Sequence, residues 1–165
     1  MSAPAPVSAR SGEVGFLDAM AHVAAAVAVA TVVDERGLPR GVTISSFSSL
    51  SLDPPLVLFC LAGTSSSHPV FATADRFAVS ILAAGQATVA RLLAGPADGR
   101  RAVRWDWLDG LPVVPDCLVQ LVCTGHDRVG GGDHTIMIGQ VRRAVALGGE
   151  PLLYHRRGFH QLGDG

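Results

Sequence analysis

At 165 residues the chain has the length of one domain of ordinary size, and its net charge of −1 argues against nucleic acid as a partner. Hydrophobic residues make up 48% of the chain and charged residues only 16%, an apolar surplus that predicts a subunit interface or a ligand surface. No apolar run approaches the ~20 residues of a membrane helix. Three cysteines without a CxxC pair indicate a reducing compartment. We therefore expect a soluble cytoplasmic protein that binds no membrane.

The predicted elements begin after an Ala/Pro/Ser-rich segment at residues 1–11, which we expect to be a disordered tail before a single domain at residues 12–165. Apolar spacing at residues 16–23 predicts a short helix. Residues 27–46 predict a β-hairpin, because β-branched runs flank turn residues at 34–37.

The rest of the chain continues the β pattern. Residues 86–93 fit a helix, residues 94–116 read as a long structured loop, and residues 126–134 read as the connection between two strands. Short strands, few helices and no βαβ alternation predict a mainly β fold, an antiparallel barrel with minor helices. The further strands are predicted at residues 56–61, 77–82, 118–124, 135–144 and 151–155.

Residues 43–55, TISSFSSLSLDPP, crowd five serines and one threonine between two predicted strands. Hydroxyls and free backbone N–H groups at a strand end can form an anion site without lysine, while Ile44, Phe47 and Leu50 keep one side in the core. The alternative is a serine-rich loop that caps its own backbone. A second hydroxyl cluster at Thr64–His68 follows the next strand, so we expect both to line one groove.

Taken singly, the other motifs are weaker evidence for a functional site. Glycines before Asp133 and His134 permit close approach of a ligand, although a hairpin turn with a surface histidine explains the same residues. All 13 basic residues are arginines, and clusters such as Arg100, Arg101 and Arg104 could bind phosphates bidentately, although a solvated face is the interpretation that we favour. The six histidines show no metal-ligand spacing, and no GxSxG elbow supports hydrolysis.

Four motifs stand in order along the chain, GVTISSFSSLSLDPPLVLFCL, RFAVSILAAGQ, GDHTIMIGQV and PLLYHRRGFHQL. From about Phe16 to Leu162 this succession resembles the short-chain flavin reductase family, the reductase components of two-component flavin-dependent monooxygenases. The resemblance implies a mainly β, antiparallel split β-barrel of the FMN-binding type with a few short helices. It further implies an NAD(P)H:flavin oxidoreductase that reduces FAD or FMN with NADH or NADPH, forms a homodimer and supplies reduced flavin to a partner monooxygenase.

The resemblance also implies the site residues. His134 would be the catalytic residue, as a group that positions nicotinamide or donates a proton. Ser80 stands where the family often has asparagine, which leaves one flavin hydrogen bond in question. For Tyr154 and Arg157, near the nicotinamide dinucleotide, a solvated strand end is the alternative. The implied cofactor-binding residues are Thr43, Ser45, Ser46, Phe47, Ser48, Cys60, Leu61, Ser66, Ser67, Ser80, Gln86, Asp133, His134, Tyr154 and Arg157.

Two other functions stay open on the sequence. One is a non-catalytic flavin- or haem-binding electron-transfer module of the same fold, which the nicotinamide motifs disfavour. The other is an oxidase of a phosphorylated vitamer, which the absence of lysine disfavours. The sequence does not separate FAD from FMN or NADH from NADPH.

Overall fold

The computed structural model describes residues 13–163, so the tail predicted at residues 1–11 lies outside the described residues. The helices are α1 (Glu13–Ala21), α2 (His68–Thr73) and α3 (Ala87–Ala94), with 3₁₀ segments at Ala84–Gln86 and Ala97–Ala102. The strands are β1 (Ala25–Ala26), β2 (Ala28–Val33), β3 (Pro39–Ile44), β4 (Ser48–Leu52), β5 (Pro55–Ala62), β6 (Arg76–Ile81), β7 (Asp106–Leu108), β8 (Leu111–Val113), β9 (Val119–Gly131), β10 (His134–Ala146), β11 (Leu153–His155) and β12 (Gly158–His160).

Seven strands form the main sheet, in the order β3-β2-β6-β9-β10-β5-β4, and every neighbouring pair is antiparallel. The sheet curls until its first strand, β3, contacts β5 near the other end. Two smaller sheets are formed by β1, β11 and β12 and by β7 and β8. The predicted mainly β, antiparallel class with a few short helices is confirmed.

The core lies on both faces of β2, which explains why the sequence of this strand is a continuous apolar run. Ala28, Ala30 and Val32 face a cluster inside the curled sheet. There Phe59 meets the rings of Phe71 and Phe77 edge-on, at centroid distances of 5.9 and 5.4 Å. On the other face of β2, Val29 belongs to a second cluster that α3 covers, and Val33 packs against a third cluster. The interior of the curled sheet is therefore filled with side chains, so a ligand has to bind outside this core.

The connection predicted at residues 126–134 is shorter than expected. Strands β9 and β10 pair as far as Gly131 and His134, which leaves a turn of two residues, Gly132 and Asp133. Gly132 has a φ of +65°, the left-handed conformation that favours glycine. The glycine-rich sequence predicts a loop, but the backbone groups of Gly130 and Gly131 pair with β10 as those of other residues do.

The predicted loop at residues 94–116 and the serine run also contain unpredicted strands. Three-residue strands β7 and β8 form a hairpin whose turn residues, Asp109 and Gly110, both have positive φ. Within the serine run, Ser48–Leu52 forms the edge strand β4, in which Leu50 is exposed and not in the core as predicted. Strands this short produce too little alternation to be recognised in the sequence. No helix of the described residues is long and apolar enough to cross a membrane.

Candidate functional site

A groove of about 290 Å³ lies at the seam where β3 meets β5, and we call it the seam groove. It brings together the end of β3, the start of the serine run, the end of β5 and the start of β10. The two hydroxyl clusters of the sequence therefore do meet at one groove. Its lining residues are Val42, Thr43, Ile44, Ser45, Ser46, Cys60, Leu61, Ala62, Ser65 and His134.

Two of the hydroxyls hold the walls of the seam groove. Ser46 Oγ accepts a hydrogen bond from the backbone N–H of Cys60 at 2.9 Å and donates to the carbonyl of Cys60 at 3.2 Å. Thr43 Oγ1 donates to the carbonyl of Ala90 in α3 at 2.8 Å. These hydrogen bonds link β3 and the serine run to β5 and α3. Ser45 is exposed, so its hydroxyl is more available to a ligand than those of Thr43 and Ser46.

His134 stands at the rim of the seam groove because it opens β10 directly opposite Ala62 of β5. Its side chain is 43% exposed, and its Nδ1 lies 2.7 Å from Asp133 Oδ1. The hydrogen bond and the charge of His134 lower the pKa of Asp133, so the carboxylate stays ionised. A carboxylate at Nδ1 favours a proton on that nitrogen, which leaves Nε2 available to a ligand.

A polar cluster adjoins the seam groove at the loop before α2. Arg100 Nη1 donates to Ser66 Oγ at 3.2 Å and to Ser67 Oγ at 3.3 Å, and Nη2 donates to the carbonyl of Gly95 at 3.3 Å. Ser67 is buried and is the N-cap residue of α2. The sequence interpretation of Arg100 as part of a solvated face is wrong, because this side chain is half-buried against the serine loop. Nothing in the sequence distinguished Arg100 from Arg101.

The three cysteines differ in their surroundings. Cys60 is half-buried and lines the seam groove. Burial raises the pKa of Cys117 and raises that of Cys123 to about 12. At neutral pH those two thiols stay protonated and act as small apolar groups, so Cys60 is the thiol that a ligand in the groove would contact.

The structure does not bring Ser80 or Gln86 into the seam groove, although the resemblance implies that both bind the cofactor. Ser80 is fully buried, and its Oγ accepts a hydrogen bond from the backbone N–H of Val114 at 3.0 Å. Gln86 accepts from the N–H of Ala83 at 2.9 Å and donates to the carbonyl of Pro115 at 2.7 Å. Both side chains fasten the segment before β9 to the main sheet.

Phe47 and Ser48 also do not line the seam groove. Phe47 packs against the core inside the curled sheet, and Ser48 lies in β4, where its hydroxyl donates to the carbonyl of Ser49 at 2.9 Å. Successive side chains of an extended chain point to opposite sides. Phe47 points into the core, so its side chain cannot also face the groove.

Tyr154 and Arg157 lie on the hairpin of β11 and β12, in a different sheet from the seam groove. The ring of Tyr154 is 5.6 Å from that of Phe159. Arg157 Nη2 is 2.9 Å from Asp18 Oδ1, so this guanidinium neutralises a carboxylate of α1. Within one chain neither residue contributes to the groove. The roles predicted for all these site residues stay predictions.

Comparisons with known proteins place the chain in a family. Residues 20–163 match the family described as the flavin reductase like domain. An enzyme of Streptomyces pristinaespiralis named NADH:riboflavin 5'-phosphate oxidoreductase is 41% identical over 162 residues, which cover 94% of this chain and 91% of that protein.

Solved structures agree with this match. The NADH:FAD oxidoreductase SgcE6 of Streptomyces globisporus, solved with NAD and FAD fragments, has a TM-score of 0.85 and 34% identity, with 91% of this chain and 92% of that chain covered. The flavin reductase of the styrene monooxygenase of Pseudomonas putida S12 has a TM-score of 0.84 and 28% identity over 91% of this chain and 98% of that chain. The predicted family and split-barrel fold class are confirmed, and the chain belongs to the flavin reductase like family.

Proposed function

We propose that this chain is an NAD(P)H:flavin oxidoreductase that binds FAD or FMN in the seam groove and supplies reduced flavin to a partner monooxygenase. The observation that carries the proposal is the convergence of the serine run, the end of β5 and His134 on one groove. Relatives with this fold are named for the same reaction with flavin and NADH, and one is the reductase of a styrene monooxygenase.

The residues of the seam groove fit a flavin. A volume of about 290 Å³ is near the lower limit of typical ligand sites, ~300 Å³, and suits a flat ring better than a whole dinucleotide. Val42 and Leu61 give the groove apolar groups, while Ser45 and the backbone offer hydrogen bonds. Beside it, Ser66, Ser67 and Arg100 combine hydroxyls with a cation, a donor set that suits the phosphate of a flavin.

A bound flavin would supply the hydride acceptor. Hydride transfer from nicotinamide to flavin depends more on contact between the two rings than on a strong acid or base. The chain therefore has to hold one ring and orient the other. The hydrogen bonds of Ser46 and Thr43 fix the walls of the groove and keep it open. His134 at the rim can orient the nicotinamide amide, or move a proton, through Nε2.

A steady-state assay tests the proposal. The purified protein should oxidise NADH or NADPH, followed at 340 nm, only after micromolar FAD or FMN is added. Titration of each flavin and each nicotinamide then identifies the preferred pair. Tightly bound flavin without flavin-dependent NADH or NADPH oxidation would contradict the proposal and favour an electron-transfer module of the same fold.

We propose further that the protein is a cytoplasmic homodimer built from one domain at residues 12–165. Large apolar side chains of α1 are exposed in the single chain, as are those of β4, where Leu52 is 92% exposed. A second subunit gives this surface a partner, and it is also the route by which Tyr154 or Arg157 would reach a nicotinamide. Sedimentation velocity should show one species of twice the chain mass, and a monomer at micromolar concentration would contradict this. The exposed apolar residues are Phe16, Leu17 and Met20 of α1 and Val23, which follows the helix.

A further inference from the structure

His68, the last residue of the second hydroxyl cluster, lies next to the seam groove without lining it. It is the first residue of α2, directly after the buried Ser67, and it is half-buried itself. Its Nε2 lies 2.9 Å from Thr135 Oγ1 of β10. Thr135 directly follows His134, so this hydrogen bond joins α2 to the neighbour of the histidine at the rim of the groove.

His134 and Thr135 point to opposite sides of β10, because successive side chains of a strand alternate. His134 lines the seam groove. Met137, two residues beyond Thr135, is buried in the core inside the curled sheet, so Thr135 lies on the same inner side. His68 meets its hydroxyl there. The contact therefore fixes the backbone of β10 one residue from His134 without occupying the face that a ligand would use.

The first residues of β10 are held by few other contacts. The pairing of β10 with β5 ends at His134 and Ala62, and the end of a strand ladder opens most easily. One backbone hydrogen bond follows the last pair, from the N–H of Gly63 to the carbonyl of Asp133 at 2.9 Å. On the other side, residues 125–131 of β9 are all exposed, with β10 as their one neighbouring strand in the described part of the chain.

The support that His68 belongs to, α2, is itself firmly anchored. Arg128 of β9 donates from Nε to the carbonyl of Phe71 at 3.3 Å and from Nη2 to the carbonyl of Ala74. A cation is favourable there, because the last carbonyls of a helix have no partner within it. The buried ring of Phe71 meets Phe59 edge-on. α2 therefore contacts the β9–β10 hairpin at both of its ends, through His68 at the first and Arg128 at the second.

The backbone of His68 is also connected to the wall of the seam groove. Its N–H donates to the carbonyl of Ser65 at 2.9 Å, and Ser65 lines the groove. Ser66 and Ser67, whose hydroxyls suit a flavin phosphate, lie between the two. His68 thus joins two sides of the groove, the serine loop through its backbone and β10 through its imidazole.

We propose that His68 is a positioning residue, which through Thr135 fixes the start of β10 and with it the place of the His134 imidazole at the rim of the seam groove. In this role His68 acts through His134 and does not contact the reacting rings. The inference rests on the proposed function, because hydride transfer requires a nicotinamide that is oriented against the flavin.

Stopped-flow reduction by NADH of the more tightly bound flavin, FAD or FMN, measures this role. His68→Ala should lower the limiting rate of hydride transfer about five- to tenfold, because a hydrogen bond that holds β10 is lost, while the dissociation constant of the flavin changes by less than about twofold. Thr135→Val removes the same hydrogen bond and should give the same loss, whereas Thr135→Ser keeps the hydroxyl and should retain most of the rate. Thr73→Val is the matched control, since among the described residues the Thr73 hydroxyl contacts carbonyls of α2 alone.

A double variant separates positioning from general stabilisation of the fold. When His134 is already alanine, the further change His68→Ala should alter the rate by less than about twofold, because the group that His68 positions is gone. A merely structural role would lower the rate by the same factor whether or not His134 is present.

Proton–nitrogen NMR spectra of the histidine side chains test the same link without turnover. The imidazole signals of His134, identified by their loss in His134→Ala, should shift in Thr135→Val and keep their positions in Thr73→Val. The inference is overturned if these signals do not move in Thr135→Val, if His68→Ala leaves the rate unchanged, or if its effect is the same with and without His134.

The proposed function has a separate outcome in these experiments. Flavin-dependent NADH oxidation by the wild type leaves the proposed function intact even where the variants overturn the role of His68. Conversely, shifted His134 signals in a protein without flavin-dependent NADH oxidation would support the positioning of His134 by His68 and contradict the proposed function.

Discussion

Replacing His134 with alanine should lower kcat/KM for NADH by about tenfold to a hundredfold, while the dissociation constant of the flavin changes by less than about threefold. The imidazole stands at the rim of the seam groove, and Asp133 at its Nδ1 leaves Nε2 for a ligand. Loss of one such hydrogen bond costs about 1–3 kcal/mol, and each 1.4 kcal/mol is about a factor of ten in rate. Stopped-flow reduction and flavin fluorescence titration measure the two effects separately.

Two variants make this test specific. His134→Gln keeps a hydrogen-bond donor at the rim and should recover part of the lost kcat/KM. Asp133→Asn keeps an oxygen for Nδ1 but removes the charge, and it should change kcat/KM by less than about threefold because the side chain of Asp133 is 92% exposed. If His134→Ala weakens flavin binding as much as it lowers kcat/KM, then His134 holds the flavin and the nicotinamide assignment is wrong.

The sequence predicted the seam groove because hydroxyl-rich segments follow two predicted strands that have to lie close together. Ser45, Ser46 and Ser65 do meet there. The sequence does not show which of these hydroxyls already forms a hydrogen bond within the protein. Ser46 and Thr43 each satisfy backbone groups of another element, and such long-range partners follow only from the curl of the sheet.

The positions of Ser80 and Gln86 away from the seam groove have a common physical cause. Their partners, Val114 and Pro115, both lie in residues 94–116, for which the sequence predicts only a structured loop. Because the sequence does not predict the β7–β8 hairpin, it offers no protein partner for the hydroxyl of Ser80. Both residues are assigned to the flavin by the resemblance to the family alone, and a motif records position and not burial.

Gly139→Ala should lower the free energy of unfolding by about 3 kcal/mol, because β10 carries this glycine where no side chain fits. An added Cβ would lie 2.3 Å from Phe77 Cζ and 3.0 Å from the Cβ of Cys123. Phe77 cannot simply turn aside, since its ring packs edge-on against the fully buried Phe59. Thermal unfolding followed by circular dichroism should show a midpoint lower by roughly 10 °C.

Gly130→Ala is the matched control for Gly139→Ala on the neighbouring strand β9. An added Cβ at Gly130 meets nothing within 4 Å, so the change in stability should stay within about 0.5 kcal/mol. Equal unfolding midpoints for the two variants would mean that the core around Phe77 can shift to accommodate the added methyl group.

The position of β10 also matters for the site, because β10 begins at His134 and pairs with β5 along the wall of the seam groove. A β10 displaced by an overpacked core would move the rim of that groove, so we expect Gly139→Ala to lower flavin affinity and Gly130→Ala to leave it unchanged.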